Sequence, residues 1–102
     1  MNRENLGDKM QFFKDAVLKA VEAYNHFRSP EAKARLIKIG KSELIVDFEG
    51  SFCRTCGVHD YLEDLIYELE RFADVEIEVL SFENYEPEKI RVKYGVKSVS
   101  KH

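Results

Sequence analysis

The first apolar pattern in the chain has the period of a helix. Apolar residues recur at steps of three and four in the first third of the sequence, at Met10, Phe13, Val17, Ala20, Val21, Tyr24 and Phe27. This spacing puts one apolar stripe on one side of a helix. We predict that the helix begins near Asp8, since Asp8 and Gln11 have the spacing of a capping box. It should end by Ser29, because Pro30 disfavours helical geometry in the residue before it.

Two short runs then predict a β-hairpin. The first covers Ala34 to Ile39 and the second covers Glu43 to Glu49. The second run alternates, with its apolar side formed by Leu44, Val46 and Phe48. Such alternation is typical of a strand with one buried face. The segment Gly40-Lys41-Ser42 between the runs has the composition of a tight hairpin loop.

A second helix and a third strand follow. The helix has its predicted buried positions at Val58, Leu62, Leu65, Ile66, Leu69 and Phe72. Val75 to Phe82 is the third predicted strand. The segment from Pro87 to Tyr94 is either a fourth strand or a short helix. Its apolar residues alternate, whereas Pro87 followed by Glu88 is also a helix start signal.

The element order α-β-β-α-β predicts an α+β fold in a single domain, residues 1–102. We expect a two-layer α/β sandwich with an antiparallel hairpin. The connection from the second strand through the second helix to the third strand should be right-handed and parallel, so the small sheet should be mixed. Both helices should cover one face, since the alternating strands leave the other face wet. An extra C-terminal strand or short helix completes this prediction.

Composition and charge exclude several functional classes. Of the 102 residues, 44% are hydrophobic and 12% aromatic, which is typical of a globular protein. The formal net charge is −3, and no basic face is evident that would neutralise phosphates, so we predict no nucleic-acid partner. No segment approaches the roughly 20 apolar residues of a membrane helix, and no signal-peptide core is evident. We therefore expect a cytoplasmic protein with no membrane partner.

The strongest chemical signal is the thiol pair Cys53 and Cys56, between the second strand and the second helix. The spacing lets both sulfurs point at one centre. The free N–H groups and the dipole of a helix N-terminus favour the thiolate, which is the form that binds metals and attacks disulfides. In a reducing compartment such a pair is more often metal-binding or redox-active than a structural disulfide. The alternative is two inert cysteines near the surface.

His59 extends the motif to Cys-x-x-Cys-x-x-His and offers a third metal ligand. Its position in the first turn of the second helix favours a solvent-facing residue instead, because no fourth ligand is evident in the sequence. The predicted metal and cofactor ligands are therefore Cys53 and Cys56, with His59 as an additional candidate.

The stretch from Leu36 through Leu80 resembles the C-terminal domain of NifU-type iron–sulfur scaffolds. That family has a leading helix, a β-hairpin, a Gly-x-Cys-x-x-Cys loop, a helix and a strand. Here residues 36–50 fill the hairpin, and Cys53 and Cys56 fill the cluster-ligand positions. The resemblance implies an iron–sulfur cluster assembly or carrier module that works with client or assembly proteins.

The number of thiols predicts how such a cluster is held. A four-iron cluster is normally bound by four thiolates, whereas one chain supplies Cys53 and Cys56. We therefore predict a cluster bridged between two chains that face each other across a two-fold axis. The second helix is exposed and acidic, so it offers little apolar surface to hold the pair without metal. The expected states are a monomer without the cluster and a homodimer with it.

A second resemblance is to thioredoxins. The second strand, the segment Phe52–Cys56 and the following helix are similar to the thioredoxin active-site unit, and residues 86–88 and 93–99 are also similar to thioredoxin sequence. This resemblance implies a dithiol–disulfide oxidoreductase without a bound cofactor, in which Cys53 is the nucleophile and Cys56 the resolving thiol. The sequence leaves both hypotheses open, a cluster carrier and a redox enzyme.

Overall fold

Two helices and a four-stranded sheet form the part of the chain that the computed structural model describes, residues 6–54 and 57–100. This architecture confirms the predicted α+β class. Neither helix in this part combines the length and the apolar character that a membrane crossing needs. In chain order, the elements are α1 (Leu6–Arg28), β1 (Lys33–Ile39), β2 (Glu43–Glu49), a 3₁₀ helix (Ser51–Arg54), α2 (Val58–Glu70), β3 (Asp74–Glu86) and β4 (Lys89–Ser100).

The strand order is β1-β2-β4-β3, and every neighbouring pair is antiparallel. The predicted mixed sheet is therefore wrong. β2 and β3 do run in the same direction, but β4 lies between them and pairs with both. The reason is the short turn at Pro87 and Glu88, which folds β4 directly back on β3 as a hairpin. The segment that begins at Pro87 is thus a turn followed by a strand, and the short-helix alternative is wrong.

Several element boundaries differ from the sequence prediction, the largest difference being β4, which continues to Ser100, six residues beyond the predicted Tyr94. α1 begins at Leu6, two residues before the predicted start near Asp8, so Asp8 lies within the helix and is not its N-cap. Gln11 donates a side-chain hydrogen bond to the Asp15 carboxylate at 2.9 Å, one turn further on. β3 continues four residues beyond the predicted end at Phe82, because its pairing with β4 extends to the turn.

Both helices cover the same face of the sheet, as predicted. The apolar residues of β2 pair in register with Ile90, Val92 and Tyr94 of β4, and all of these are buried. On this face the Phe48 ring meets the Tyr24 ring of α1 edge-on, with centroids 5.4 Å apart. The Tyr94 hydroxyl donates to the Leu62 carbonyl of α2 at 2.8 Å. We call this the helix face and the opposite side the open face.

Candidate functional site

The backbone that leads from β2 to Cys53 is fixed to two other segments. The Gly50 N–H donates to the Glu88 carbonyl at 3.0 Å, and the Phe52 N–H donates to the Glu31 carbonyl at 3.2 Å. Gly50 has a φ of +138°, and a Cβ at this position would collide with the Glu31 carbonyl. Only glycine fits there. The chain therefore leaves β2 along one well-defined path towards Cys53.

Phe52 anchors the same segment to the core, one residue before Cys53. Its side chain is 1% exposed, and its ring lies between Phe48 and Tyr61, with centroid distances of 6.2 and 4.9 Å. The Tyr61 hydroxyl donates to the Glu31 carboxylate at 3.3 Å. Burial, reinforced by the negative charge of Glu31, raises the pKa of Tyr61. An aromatic cluster thus holds the backbone directly next to the first thiol residue.

Cys53 lies in the 3₁₀ helix Ser51–Arg54, which begins two residues after β2. The second thiol residue, Cys56, lies outside the described residues, as does Thr55. The predicted approach of the two sulfurs to one centre therefore remains a prediction. The structure fixes the path of the chain on both sides of the pair.

The segment after the thiol pair ends at Gly57, the N-cap of α2. The Gly57 carbonyl accepts hydrogen bonds from the N–H groups of Asp60 (3.1 Å) and Tyr61 (3.3 Å). Among the described residues, no side-chain hydrogen bond caps the start of this helix. The first N–H groups of a helix have no partner within the helix, and its dipole favours a negative charge at this end. The geometry at this end suits a thiolate.

α2 itself is held in place by polar contacts with α1. The Tyr24 hydroxyl donates to the Tyr61 carbonyl at 3.0 Å. Arg28 donates to the Asp64 carboxylate at 3.2 Å and to the Glu68 carboxylate at 3.3 Å. Because these contacts lie along the first three turns of α2, they fix the direction in which its N-terminus points.

His59 occupies an exposed position in the first turn of α2. Its side chain is 61% exposed, and its Nε2 lies 3.1 Å from a carboxylate oxygen of Glu63. Its ring centroid is 6.4 Å from that of Phe82 in β3. Among the side chains that the structure describes, which do not include those of Cys53 and Cys56, no group of three or more His, Cys, Asp or Glu is arranged to hold a metal ion. The described contacts of His59 are those of a surface residue.

A buried carboxylate on the open face was not anticipated from the sequence. Asp47 is only 5% exposed, and it accepts hydrogen bonds from Arg91 Nε (2.7 Å), Arg91 Nη2 (2.9 Å) and the Tyr85 hydroxyl (2.9 Å). The Arg91 hydrogen bonds hold the pKa of Asp47 below its usual value, although burial acts in the opposite direction. Burial, together with the Asp47 hydrogen bond, raises the pKa of Tyr85.

The cluster depends on strand pairing that periodicity alone does not give. Asp47 stands directly opposite Arg91 because β2 pairs with β4, and Tyr85 reaches the same carboxylate from β3. The available signal was the alternation of cations with apolar residues in Lys89-Ile90-Arg91-Val92-Lys93. That pattern marks a strand with a charged open face, which requires nearby carboxylates.

No family model matches the sequence, and no curated protein matches it. Two solved structures are similar to the chain. One is a Cs H-NOX mutant with the unnatural amino acid 4-cyano-L-phenylalanine at site 5, at 12% identity and a TM-score of 0.48. The other is an oxygen-binding H-NOX domain related to soluble guanylate cyclases, solved as the oxygen complex, at 15% identity and a TM-score of 0.45. Each match covers 84% of this chain and 49% or 48% of the other, so the chain spans about half the length of these structures.

Proposed function

We propose that the protein is an iron–sulfur cluster carrier or assembly module that binds a cluster through Cys53 and Cys56. The observation that carries this proposal is that the chain is anchored on both sides of the thiol pair. Upstream, Gly50 and Phe52 are hydrogen-bonded to distant segments, and downstream Gly57 caps a helix that is fixed to α1. Ligands held on a rigid scaffold bind metal with little loss of conformational freedom.

The electrostatics of the segment support thiolate ligands. The N-terminus of α2 has no side-chain cap from the part of the chain that the structure describes, and its dipole favours negative charge. Thiolates are the ligands that iron–sulfur clusters require. One acidic residue, Asp60, lies in the same first turn. Its carboxylate is close to Gly57, since a Cβ added there would lie 4.0 Å from it. Asp60 therefore competes with the thiolates for the helix terminus, and its charge should weaken the binding of an anionic cluster.

The ligand count supports a cluster shared by two chains. The pair supplies two thiolates, and a four-iron cluster is normally held by four. We leave His59 out of the proposed ligand set because its Nε2 is engaged with Glu63 and its side chain is largely exposed. Two chains related by a two-fold axis would supply the remaining ligands. The protein would then be a monomer without the cluster and a homodimer with it, and it would pass the cluster to client proteins in a reducing cytoplasm.

Anaerobic reconstitution with iron and sulfide tests the proposal. The wild-type protein should turn brown, show sulfur-to-iron absorption bands and sediment as a dimer with about four irons per two chains. Cys53→Ser and Cys56→Ser should each abolish the colour and the dimer. The matched control is His59→Ala, which removes the third candidate ligand and should leave both unchanged.

Two results would contradict the carrier proposal. One is a colourless monomer that binds no iron under these conditions. The other is colour and dimerisation that survive Cys53→Ser. If the colourless protein instead reduces insulin disulfides, and Cys53→Ser abolishes this activity, the dithiol–disulfide oxidoreductase becomes the better account.

A further inference from the structure

The two edge strands of the sheet differ in how the N–H and C=O groups of their outer edges are hydrogen-bonded. On β1, the side chain of Asn25 binds both backbone groups of Ala34. Asn25 Nδ2 donates to the Ala34 carbonyl at 3.0 Å, and the Ala34 N–H donates to Asn25 Oδ1 at 2.7 Å. In an antiparallel strand the N–H and C=O of one residue point to the same side. Asn25 therefore closes the outer edge of β1 at this position.

No described residue covers the outer edge of β3 in this way. Over residues 75–86, the backbone forms no hydrogen bond with the described part of the chain apart from its pairing with β4. β3 contains two extra residues, Leu80 and Tyr85, and its pairing with β4 also shifts between Glu76 and Ile77. The regular stretches between these irregularities are Ile77–Val79 and Ser81–Asn84. Unpaired N–H and C=O groups on a regular strand are a template for an added strand.

The two edge strands, β1 and β3, also differ in charge. β3 carries five acids and no Lys or Arg over Asp74–Glu86, whereas β1 carries three cations and no acid. Glu76 and Glu83 form no ion pair within the described residues, and Glu78 forms one, with Lys97 at 3.7 Å. Glu76 and Glu78 lie on the open face, since Glu78 pairs in register with Gly95 and the intervening Ile77 belongs to the helix face. A strand added at β3 would meet negative charge on this face.

The other side of β3 is apolar. Val75, Ile77 and Val79 are partly buried and pack against the core beneath the helices. Further along the strand, Phe82 continues this side opposite Val92, and its side chain is 43% exposed. Leu80 and Tyr85, at 52% and 40% exposure, lie instead on the open face, beside Gly95 and Asp47. An added strand with alternating cationic and apolar residues would therefore match both faces, with its cations opposite the glutamates and its apolar residues beside the core.

We propose that the open edge of β3 binds an extended, basic segment of a partner protein as an added antiparallel or parallel strand. A second copy of this chain fits poorly. Pairing β3 with another β3 brings acids together, and like charges on facing strands are destabilising. Pairing β3 with the β1 of another copy requires the edge that Asn25 closes. The proposal does not depend on Cys53 or Cys56.

Fluorescence anisotropy with designed peptides tests the proposal. The probe is a labelled peptide of about six residues, a common strand length, that alternates lysine with valine. It should bind the protein, whereas a peptide alternating glutamate with valine should not. A lysine–valine peptide methylated on alternate backbone amides should lose most of the affinity, because it keeps its charge but cannot form the ladder.

Charge variants locate the binding. Glu76→Lys should weaken the lysine–valine peptide about three- to tenfold, since it turns an attraction between exposed charges into a repulsion. Glu83→Lys is a second variant, on the regular stretch Ser81–Asn84. The matched control is Glu22→Lys on α1, which makes the same change in net charge and should alter the affinity by less than about twofold. The variant with both cysteines changed to serine should bind the peptide like the wild type.

Amide hydrogen exchange provides the structural readout. Bound peptide should slow exchange in residues 75–84 and leave β1 unchanged. The proposal would be overturned if the methylated peptide or the acidic peptide bound as tightly as the lysine–valine peptide. It would also be overturned if Glu22→Lys weakened binding as much as Glu76→Lys. A protein that dimerises with rising concentration through residues 75–84 would overturn it in favour of a second copy as the occupant.

Discussion

Asp47 and Phe48 are neighbours in β2, are both nearly inaccessible to solvent, and point to opposite faces of the sheet. Phe48 is buried by the helices, and its ring meets Tyr24 and Phe52. Neither described helix lies above Asp47. It is buried by side chains of the neighbouring strands, chiefly Arg91 and Tyr85.

The comparison shows that one strand is stabilised in two different ways. Phe48 contributes through removal of apolar area from water, which has little dependence on pH or salt. Asp47 contributes only while it is ionised and paired, because an unpaired buried polar group costs free energy. The helix face should therefore respond to changes in side-chain volume, and the open face to changes in charge.

The largest expected effect is on the helix face. Phe48→Ala should lower the free energy of unfolding by about 3–5 kcal/mol, because it removes a fully buried ring and leaves a cavity beside Tyr24. Urea denaturation measures the loss, and Phe48→Leu should cost less because it keeps most of the volume. A loss below about 1 kcal/mol for Phe48→Ala would mean that the aromatic cluster does not stabilise this face.

A smaller loss is expected on the open face. Asp47→Asn keeps the side-chain shape but places an amide among donors from Arg91 and Tyr85. The free energy of unfolding should fall by about 1–3 kcal/mol, the cost of leaving a buried hydrogen-bonding group unsatisfied. The double variant Asp47→Leu with Arg91→Met removes both members of the ion pair, leaves the Tyr85 hydroxyl at the edge of the cluster, and should recover part of the loss. If Asp47→Asn matches the wild type in urea denaturation, the cluster does not stabilise the sheet.

The pH dependence of stability separates the two faces directly. The pKa of Asp47 is lowered in the folded protein, chiefly by the Arg91 hydrogen bonds. Its contribution to stability is therefore fully present above the unfolded pKa of about 3.9 and is lost as the pH falls through the lower, folded pKa. The difference in free energy of unfolding between wild type and Asp47→Asn should shrink as the pH falls below about 4. The difference between wild type and Phe48→Ala should stay constant over the same range.

Much of the fold was predictable because its elements have one apolar side. The stripe on α1, the buried positions of α2 and the alternation of β2 all follow from side-chain periodicity. The same periodicity places Tyr94 on the inner side of β4. It does not say which strand lies next to which, because the alternation in β4 is equally satisfied beside β2, beside β3 or between them. The mixed sheet was predicted for that reason.

The candidate site divides in the same way. The thiol pair is evident from its spacing alone, and Gly50 is recognisable as the end of a strand. The contacts that fix Gly50 and Phe52 involve Glu31 and Glu88, which are far away in the chain and have no local signal. The burial of Asp47 likewise requires two other strands to deliver Arg91 and Tyr85 to it.

The smallest expected effect concerns an exposed charge on the open face. Glu78 lies 3.7 Å from Lys97, and both side chains are more than half exposed, at 54% and 60%. Glu78→Gln should change the free energy of unfolding by less than about 0.5 kcal/mol, because water screens the pair and two long side chains lose freedom to form it. High salt should remove even this difference. Urea denaturation at low and high salt, beside the matched variant Glu22→Gln, checks both points. A loss of unfolding free energy above about 1 kcal/mol that does not depend on salt would mean that exposed charges on this face also stabilise the sheet. Burial would then not distinguish Asp47 from them. The expected result would mean that charges along β3 can be changed without loss of the fold. A weaker peptide affinity in Glu76→Lys would then come from the changed charge at the β3 edge and not from unfolding.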